Sequence, residues 1–247
     1  MIETVKLSTK IYITTPQSFS KSEYLPSERP ENIHGEPIVW KWGPQRLQNE
    51  GTALAFIEKH TTIPVPKVLF CGKDERGVMY LEVERKGGIL CDTVGEECRM
   101  TPGEGQHATS EQCLECENIA FSKVNSFVEG TVLPQLKNLT SLETGLNGFV
   151  IPPPRIEQYD HREIWQSKQA KQYQKYVFCH SDLSRSNILL DPKTLDVAWI
   201  IDWECAGFFP EEMEHTLWRL NYEEYMQTFC DTTKIQQEIV LISYFGW

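Results

Sequence analysis

The sequence predicts a mixed α+β protein with two lobes, a small β-rich lobe followed by a larger helical one. The first third of the chain carries short apolar runs that are typical of strands, and the part after residue 211 has the spacing of amphipathic helices. We therefore expect an N-terminal lobe at 1–84, a C-terminal lobe at 85–247, and a polar loop or insert at 91–111.

The elements of the first lobe follow from local patterns. Strands are expected at 10–14, 37–42, 67–71 and 78–83. Leu47, Leu54 and Ile57 recur at helical spacing, which predicts a helix from Arg46 to His60. The run Ile63-Pro64-Val65-Pro66 ends that helix, because each proline removes an amide donor and restricts the residue before it.

Composition limits the classes of partner. The chain of 247 residues has 24 basic and 35 acidic residues, which gives a net charge of −11. Nucleic-acid binding requires a surplus of Lys and Arg to displace counterions, so we expect no nucleic-acid partner. No apolar run approaches the ~20 residues that span a bilayer, and residues 1–10 lack a signal-peptide pattern. We therefore expect a cytoplasmic protein with reduced thiols and no membrane partner.

The cysteines raise the question of a metal site. Cys113 and Cys116 form the single close C-x-x-C pair among the eight cysteines. A zinc site would require a second pair or histidines at ligand spacing. Cys91 and Cys98 precede the pair, and His107 is the only histidine nearby, so the sequence favours reduced thiols over a metal.

One segment has the pattern of phosphoryl-transfer chemistry. The pattern H-x-D-x-x-x-x-N begins at His180 and includes Asp182 and Asn187, and two short apolar strands joined by a turn follow it. Antiparallel pairing of those strands brings Asn187 to the same edge as Asp202, which ends the second strand. His180 is a candidate member of the catalytic site that we expect to brace the loop by hydrogen bonding.

The residue types fit the requirements of the reaction. Phosphoryl transfer depends on positioning and charge neutralisation. Asp182 can accept the proton of the acceptor, and Asn187 with Asp202 offers oxygens that Mg²⁺ prefers. Lys41 on a predicted strand, oriented by Glu50 on the next helix, is the candidate for holding the α- and β-phosphates of ATP.

Two runs of the sequence resemble the aminoglycoside phosphotransferase and choline kinase family. The first is C-H-S-D-L-S followed by N-I-L, within 179–189, and the second is I-I-D-W-E-C-A-G-F-F-P at 200–210. The closest resemblance within that family is to a large fungal branch with a kinase-like phosphotransferase domain, through I-P-V-P-K-V at 63–68 and F-V-I-P-P-P at 149–154.

The resemblance implies a protein-kinase-like fold with ATP and Mg²⁺ in the cleft between the lobes. It gives the residues named above the same roles, and it adds Glu84, which falls in the hinge segment that faces adenine. A small-molecule acceptor is favoured over a protein, because Ser184 stands where protein kinases usually carry a lysine and Asp202 is followed by Trp-Glu instead of Phe-Gly.

Two classes of function stay open. The leading one is an ATP- and Mg²⁺-dependent small-molecule kinase, whose acceptor and oligomeric state the sequence does not identify. The rival is a pseudokinase-like nucleotide-binding or scaffold protein, because no G-x-G-x-x-G precedes Lys41 and the part after Pro210 is short. A hydrolase built on Asp182 and His180 is a third reading, but it lacks a convincing nucleophile.

Overall fold

The first lobe is built on an antiparallel sheet. The protein is described by a computed structural model that covers residues 2–100, 112–171 and 174–242. The sheet has five strands in the order β1-β2-β3-β5-β4. They are β1 (Glu3–Lys6), β2 (Lys10–Thr14), β3 (Ser18–Glu23), β4 (Val68–Lys73) and β5 (Met79–Glu84), and helix α1 (Gly43–His60) packs against the last three.

Three of the four strands predicted for this lobe are confirmed as β2, β4 and β5. The strand predicted at 37–42 is wrong, because this segment forms one isolated bridge, between Glu31 and Pro37, and then turns into α1. Trp42 precedes the helix with a φ of 54°, which is incompatible with an extended strand. Two strands of the sheet were not predicted: β1, which pairs with β2, and β3, which pairs with both β2 and β5.

Helix α1 is the predicted helix and lies in the main hydrophobic core. Leu47, Leu54 and Ile57 are buried along one face, as their spacing requires. Gly51 allows close approach to the sheet, since a Cβ at this position would lie 2.7 Å from Sγ of Cys71. The helix is therefore held against β4 by shape as well as by apolar contact.

The same helix is bonded to the second lobe. Arg46 donates to Oε1 of Glu204 at 3.2 Å. The side-chain amide of Asn49 donates to the carbonyl oxygens of Glu204 and Ala206 at 3.0 and 2.8 Å. Arg46 and Asn49 are almost fully buried, so these bonds are shielded from water.

The second lobe combines helices with two small sheets, of strand orders β10-β9-β6 and β11-β8-β7. Its strands are β6 (Ile89–Leu90), β7 (Thr140–Ser141), β8 (Tyr176–Cys179), β9 (Ile188–Leu190), β10 (Val197–Ile200) and β11 (Gly207–Phe209). Its helices are α2 (Leu114–Phe127), α3 (Leu133–Asn138), α4 (Pro154–Glu157), α5 (Tyr222–Thr228) and α6 (Thr232–Ile242). In the predicted loop or insert at 91–111, Cys91–Glu96 forms a 3-10 helix, and residues 101–111 lie outside the described residues.

The β9–β10 hairpin positions the candidate site. It pairs Ile200 with Ile188, and the N–H of Ile201 donates to the carbonyl oxygen of Asn187 at 3.0 Å. Asn187 and Asp202 therefore reach the same edge, as the spacing predicts. The α+β class with a small sheet-based lobe and a helical C-terminal region is confirmed.

The exact division into lobes at residue 84 stays a prediction, although β5 ends there. Within 2–100, 112–171 and 174–242, none of the helices combines the length and the apolar character needed to cross a bilayer.

Candidate active site

A cleft of about 420 Å³ lies between the five-stranded sheet and the β9–β10 hairpin. Its walls are largely apolar and include Leu81, Val83, Leu189 and Ile201. Four polar side chains that bear on the chemistry also line it: Lys21, Glu50, Asn187 and Asp202. An apolar cleft with a few convergent polar groups is typical of a site for a small molecule.

Lys21 on β3 connects carboxylates of the two lobes. Its Nζ lies 2.8 and 2.9 Å from the two carboxylate oxygens of Glu50 and 2.5 Å from Oδ1 of Asp202. Burial opposes the charged ammonium, but Asp202 and Glu50 outweigh it and raise the pKa of Lys21 well above its usual value. Lys21 therefore stays charged in the cleft at neutral pH.

The two carboxylates differ in their environment. Burial opposes ionisation of Asp202, but Lys21 and Lys10 lower its pKa to about 2. Burial raises the pKa of Glu50, with Lys21 opposing the rise. Asp202 also adopts the left-handed backbone conformation, with a φ of 63°, which for a non-glycine residue costs about 1–3 kcal/mol. The surrounding contacts hold it in this conformation.

The predicted pairing of Lys41 with Glu50 is wrong, because the lysine that contacts Glu50 is Lys21. Lys41 lies in the turn before α1, and its Nζ is 4.2 Å from the ring centroid of Trp42. The partner of Glu50 has to come from a strand that α1 crosses, and residues 37–42 lie outside the sheet. Lys21 meets the requirement because β3 occupies the centre of the sheet.

A signal for β3 was present in the sequence. Thr15-Pro16-Gln17-Ser18 directly follows β2 and has the composition of a turn, with proline at its second position. Phe19 and Lys21 then alternate with serines, which is the period of a strand. Both side chains line the cleft, so the alternation separates the cleft face from the opposite one.

His180 braces the loop that carries Asp182. Its ring is fully buried, and burial lowers its pKa to about 4, so the ring is neutral at physiological pH. Nε2 donates to the carbonyl oxygen of Ile201 at 3.0 Å, and Nδ1 accepts the N–H of Asp182 at 3.3 Å. This geometry is that of a positioning residue, as expected from the sequence. A part of His180 in catalysis stays a prediction.

Asp182 is not among the residues that line the cleft, but it is hydrogen-bonded to Asn187, which is. Its Oδ1 accepts the hydroxyl of Tyr225 at 2.9 Å, and its Oδ2 accepts Nδ2 of Asn187 at 3.4 Å. Burial raises the pKa of Asp182 to about 6, while Arg155 and Tyr225 oppose the rise. A carboxylate with a pKa just below neutrality is suited to accept a proton.

The loop has further support that the sequence did not reveal. Oε2 of Glu214 accepts the backbone N–H groups of His180 and Ser181 at 2.5 and 3.3 Å. Arg155 donates to the carbonyl oxygen of Ser181 at 2.7 Å and pairs with Glu238 on α6 at 2.7 Å. These contacts bring together residues distant in sequence, so no local pattern marks them.

Three polar atoms around this loop are buried and have no hydrogen-bond partner within the described ranges. They are Oγ of Ser181, Oε1 of Glu214 and Nη2 of Arg155. Buried polar atoms in native proteins are generally satisfied, and ordered water is the usual partner when the protein provides none. The surroundings of Asp182 are therefore suited to bind water or another polar group.

Glu84 lies at the connection between the lobes, where the resemblance places the hinge. Its backbone N–H donates to the carbonyl oxygen of Lys67 at 2.8 Å, and its carboxylate pairs with Lys86 at 2.8 Å. Glu84 and Lys86 both line the cleft. The contact of this segment with adenine stays a prediction.

The β1–β2 turn contains no glycine. It runs through Leu7, Ser8 and Thr9, and the N–H of Leu7 donates to the carbonyl oxygen of Lys10 at 2.9 Å. The hydroxyl of Tyr24 donates to the carbonyl oxygen of Leu7 at 2.7 Å, and this bond holds the turn in place. Closure of this hairpin therefore does not depend on glycine-rich flexibility.

Comparisons with known proteins find matches among solved structures. No family model matches the sequence, and no curated protein does. Among solved structures, the aminoglycoside phosphotransferase APH(3'')-Id from Streptomyces rimosus is 17% identical, with a TM-score of 0.42 over 97% of this chain and 84% of that one. The streptomycin–ATP complex of APH(2'')-IIa is 9% identical, with a TM-score of 0.49 over 97% of this chain and 81% of that one.

A GDP complex of aminoglycoside 2'-phosphotransferase-IIIa is 13% identical, with a TM-score of 0.42 over 97% of this chain and 76% of that one. The chain is thus similar to solved aminoglycoside phosphotransferases along nearly its whole length, and the expected fungal branch stays a prediction.

Proposed function

We propose that the protein is an ATP-dependent phosphotransferase that moves the γ-phosphoryl group of ATP to a hydroxyl or amine of a small molecule. The observation that carries this proposal is the position of Lys21 between Glu50 and Asp202 in the cleft. A buried lysine oriented by a helix carboxylate is the arrangement that kinases use to hold the α- and β-phosphates. Glu50 fixes the ammonium in place while the phosphates replace its contact with Asp202.

Mg²⁺ fits the donor set of the cleft. Asn187 and Asp202 offer hard oxygen ligands side by side, and carboxylate oxygens of Glu50, Asp202 and Glu204 lie within 4.8 Å of one another. In our proposal Asn187 and Asp202 hold the ion. When bound, Mg²⁺ supplies neutralisation of the charge on the phosphates.

The apolar part of the cleft suits the adenine ring. Leu81, Val83 and Leu189 provide flat apolar surface, and the backbone from Glu84 to Lys86 borders it. We assign adenine to this part because it adjoins Lys21, so one cleft accommodates the base and the phosphates. Asn187 lines the cleft and donates its side-chain amide to the carbonyl oxygen of Asp182 at 2.8 Å, which joins the cleft to the loop of Asp182.

Asp182 acts as the general base in this proposal. It accepts the proton of the acceptor hydroxyl or amine as that atom bonds to phosphorus, and the bond from phosphorus to the leaving oxygen of ADP breaks. Tyr225 and Asn187 fix the carboxylate for this purpose. With a pKa of about 6, Asp182 is mostly ionised at neutral pH.

A small-molecule acceptor agrees with the short connection after Asp202. Strand β11 begins at Gly207, so the chain between them has no room for a long regulatory loop. Protein kinases carry an extended activation segment at this point. The acceptor site would then be formed by the loop of Asp182 and by α5, which carries Tyr225.

Nucleotide binding tests the proposal. Thermal unfolding is measured with ATP alone, Mg²⁺ alone and both, on the wild type, Asp202→Ala and the control Lys41→Ala. We expect ATP to raise Tm in a Mg²⁺-dependent manner in the wild type and in Lys41→Ala but not in Asp202→Ala. An acceptor screen by ADP release follows, with Asp182→Ala as the variant that binds ATP without turnover. No shift at millimolar ATP in a folded sample would refute the proposal.

The rival function, a pseudokinase-like binding protein, is favoured by one specific observation. The groups proposed for chemistry are already engaged, since Tyr225 bonds Asp182 and Lys21 bonds Asp202. A binding protein would show a Tm increase with nucleotide but no ADP release with any acceptor, in the wild type and in Tyr225→Phe alike. ADP release in either protein would exclude this rival.

A further inference from the structure

Three cysteine side chains converge outside the cleft. Cys113 directly precedes α2, Cys116 lies in its first turn, and Cys98 follows the 3-10 helix Cys91–Glu96. The Sγ atoms of Cys98 and Cys116 are 4.0 Å apart, and all three sulfurs lie within 4.8 Å of one another. Cys98 is 15 residues before Cys113 in the sequence, and the fold brings it, but not Cys91, into this group of sulfurs.

The spacing of the sulfurs matches a tetrahedral metal site. A Zn–S bond of about 2.3 Å places two thiolates of a tetrahedron roughly 3.8 Å apart. The separation of 4.0 Å between Cys98 and Cys116 is close to that value and about twice the length of a disulfide bond. Binding of an ion therefore requires only small side-chain movements.

The fold fixes the positions of the sulfurs. Cys113 and Cys116 stand at the N-terminal end of α2, and burial raises the pKa of Cys116, so metal binding has to displace the proton of this thiol. The backbone N–H of Arg99 donates to Sγ of Cys116 at 3.3 Å, which fixes that sulfur from the side of Cys98. Cys113 and Cys116 are 2% and 0% exposed, whereas Cys98 is half-buried.

We propose that Cys98, Cys113 and Cys116 bind one Zn²⁺ ion as three thiolates, with an oxygen or nitrogen donor such as water in the fourth position. Each thiol releases its proton to solvent on binding, and no oxidation state changes. The ion ties the segment after the 3-10 helix to the start of α2. This site is separate from the cleft and does not depend on the proposed phosphotransferase activity.

Metal content and cobalt spectroscopy test this site on the full chain. The protein is purified without chelator, and zinc is measured in the wild type, Cys116→Ser and the control Cys230→Ser, whose cysteine is exposed and outside the cluster. We expect one zinc per chain in the wild type and the control, and background zinc in Cys116→Ser. Reduced wild type, stripped of metal and titrated with Co²⁺, should give thiolate-to-cobalt charge transfer and tetrahedral d–d bands that saturate at one equivalent.

X-ray absorption separates this site from its alternatives. Three sulfurs at about 2.3 Å and one lighter donor are expected around zinc. Four sulfurs around the metal would overturn the three-cysteine assignment. A metal-free wild type that does not bind Co²⁺ would overturn it too, and so would a disulfide within the cluster, seen as an intact mass lower by two hydrogens. The half-buried Cys98→Ser serves as the second variant if Cys116→Ser fails to fold.

Discussion

Tyr225 donates its hydroxyl to Oδ1 of Asp182 over 2.9 Å, so helix α5 bears directly on the carboxylate proposed as the base. The two residues come from distant parts of the chain. Arg155 and Glu214 hydrogen-bond to the backbone of residues 180–181, in the loop that carries Asp182. The state of Asp182 therefore depends on the last part of the chain as well as on its own loop. Four measurements follow from these contacts and from those of Lys21.

Tyr225→Phe is expected to shift the acid limb of the pH–rate profile. The hydroxyl stabilises the ionised form of Asp182, whose pKa is about 6. Without the hydroxyl, burial raises this pKa further. A hydrogen bond to a charged group contributes about 1.5–3 kcal/mol, so the limb should move to higher pH by roughly one to two units. Tyr222→Phe is the control, because Tyr222 is 75% exposed. An unchanged limb in Tyr225→Phe would show that the hydroxyl does not act on the catalytic carboxylate.

Lys21→Ala and Lys41→Ala are expected to separate the two candidate lysines. Loss of Lys21 removes a charged contact to the phosphates, which should weaken Mg-ATP binding by roughly tenfold to a hundredfold. It also leaves Glu50 and Asp202 without their buried cation, so the free energy of unfolding should fall by about 3–5 kcal/mol. Lys41→Ala should change neither quantity appreciably.

Calorimetry with Mg-ATP and urea unfolding measure the two effects for both lysines. The same loss of nucleotide affinity in Lys41→Ala would contradict the assignment of Lys21. Glu50→Gln, which keeps the shape of the side chain, should also weaken binding while folding is retained.

Arg155→Ala should destabilise the protein strongly. The guanidinium bonds Ser181 and Glu238, and truncation leaves the Glu238 carboxylate buried without its main cation. The expected loss in the free energy of unfolding is about 3–5 kcal/mol. Arg76→Ala removes an exposed ion pair within a turn and should leave the unfolding midpoint unchanged. Similar urea midpoints for the two variants would contradict the structural role of Arg155.

Glu214→Gln should change the dependence of stability on pH. Burial raises the pKa of Glu214 from 4.5 to about 7, so its contribution is fully present below pH 4.5 and is lost as pH rises through 7. The variant has no ionisable carboxyl at this position and does not lose stability in this way. Its free energy of unfolding relative to wild type should therefore rise by about 3 kcal/mol from pH 4.5 to pH 7 and level off above pH 7.

Urea unfolding at several pH values measures this difference. Glu212→Gln, at an exposed position two residues earlier in the sequence, is the control and should show a flat difference from wild type. A flat difference for Glu214→Gln as well would mean that its carboxyl is not shifted in the folded state.

The hairpin of the second lobe could be read from the sequence because its signals are local. Its two strands and their turn lie within one short stretch, so their pairing determines where Asn187 and Asp202 meet. Helix α1 could also be predicted from the sequence, because its buried apolar residues recur at the spacing of a helix. The zinc proposal, in contrast, needs the position of Cys98 relative to α2, which no periodicity encodes.

Lys21 was missed for a physical reason. Strand β3 has the polar sequence S-F-S-K-S-E, and its strand conformation is imposed by pairing with β2 and β5 on both sides. Tertiary pairing commonly overrides weak strand propensity in this way. The run at 37–42 has better strand composition but no neighbouring strand to pair with. Composition alone therefore favoured the wrong lysine.

The bonds of α1 connect the two sides of the cleft. Arg46 and Asn49 attach the helix to the segment of Glu204 and Ala206, whereas Glu50 attaches it to Lys21 in the sheet. The helix also packs against β3, β4 and β5, so it is joined to both lobes at once. The ion pair of Lys21 with Asp202 crosses the cleft directly. In the proposed function, a nucleotide that binds Lys21 replaces this ion pair, so binding exchanges a contact between the lobes for contacts of the ligand with each of them.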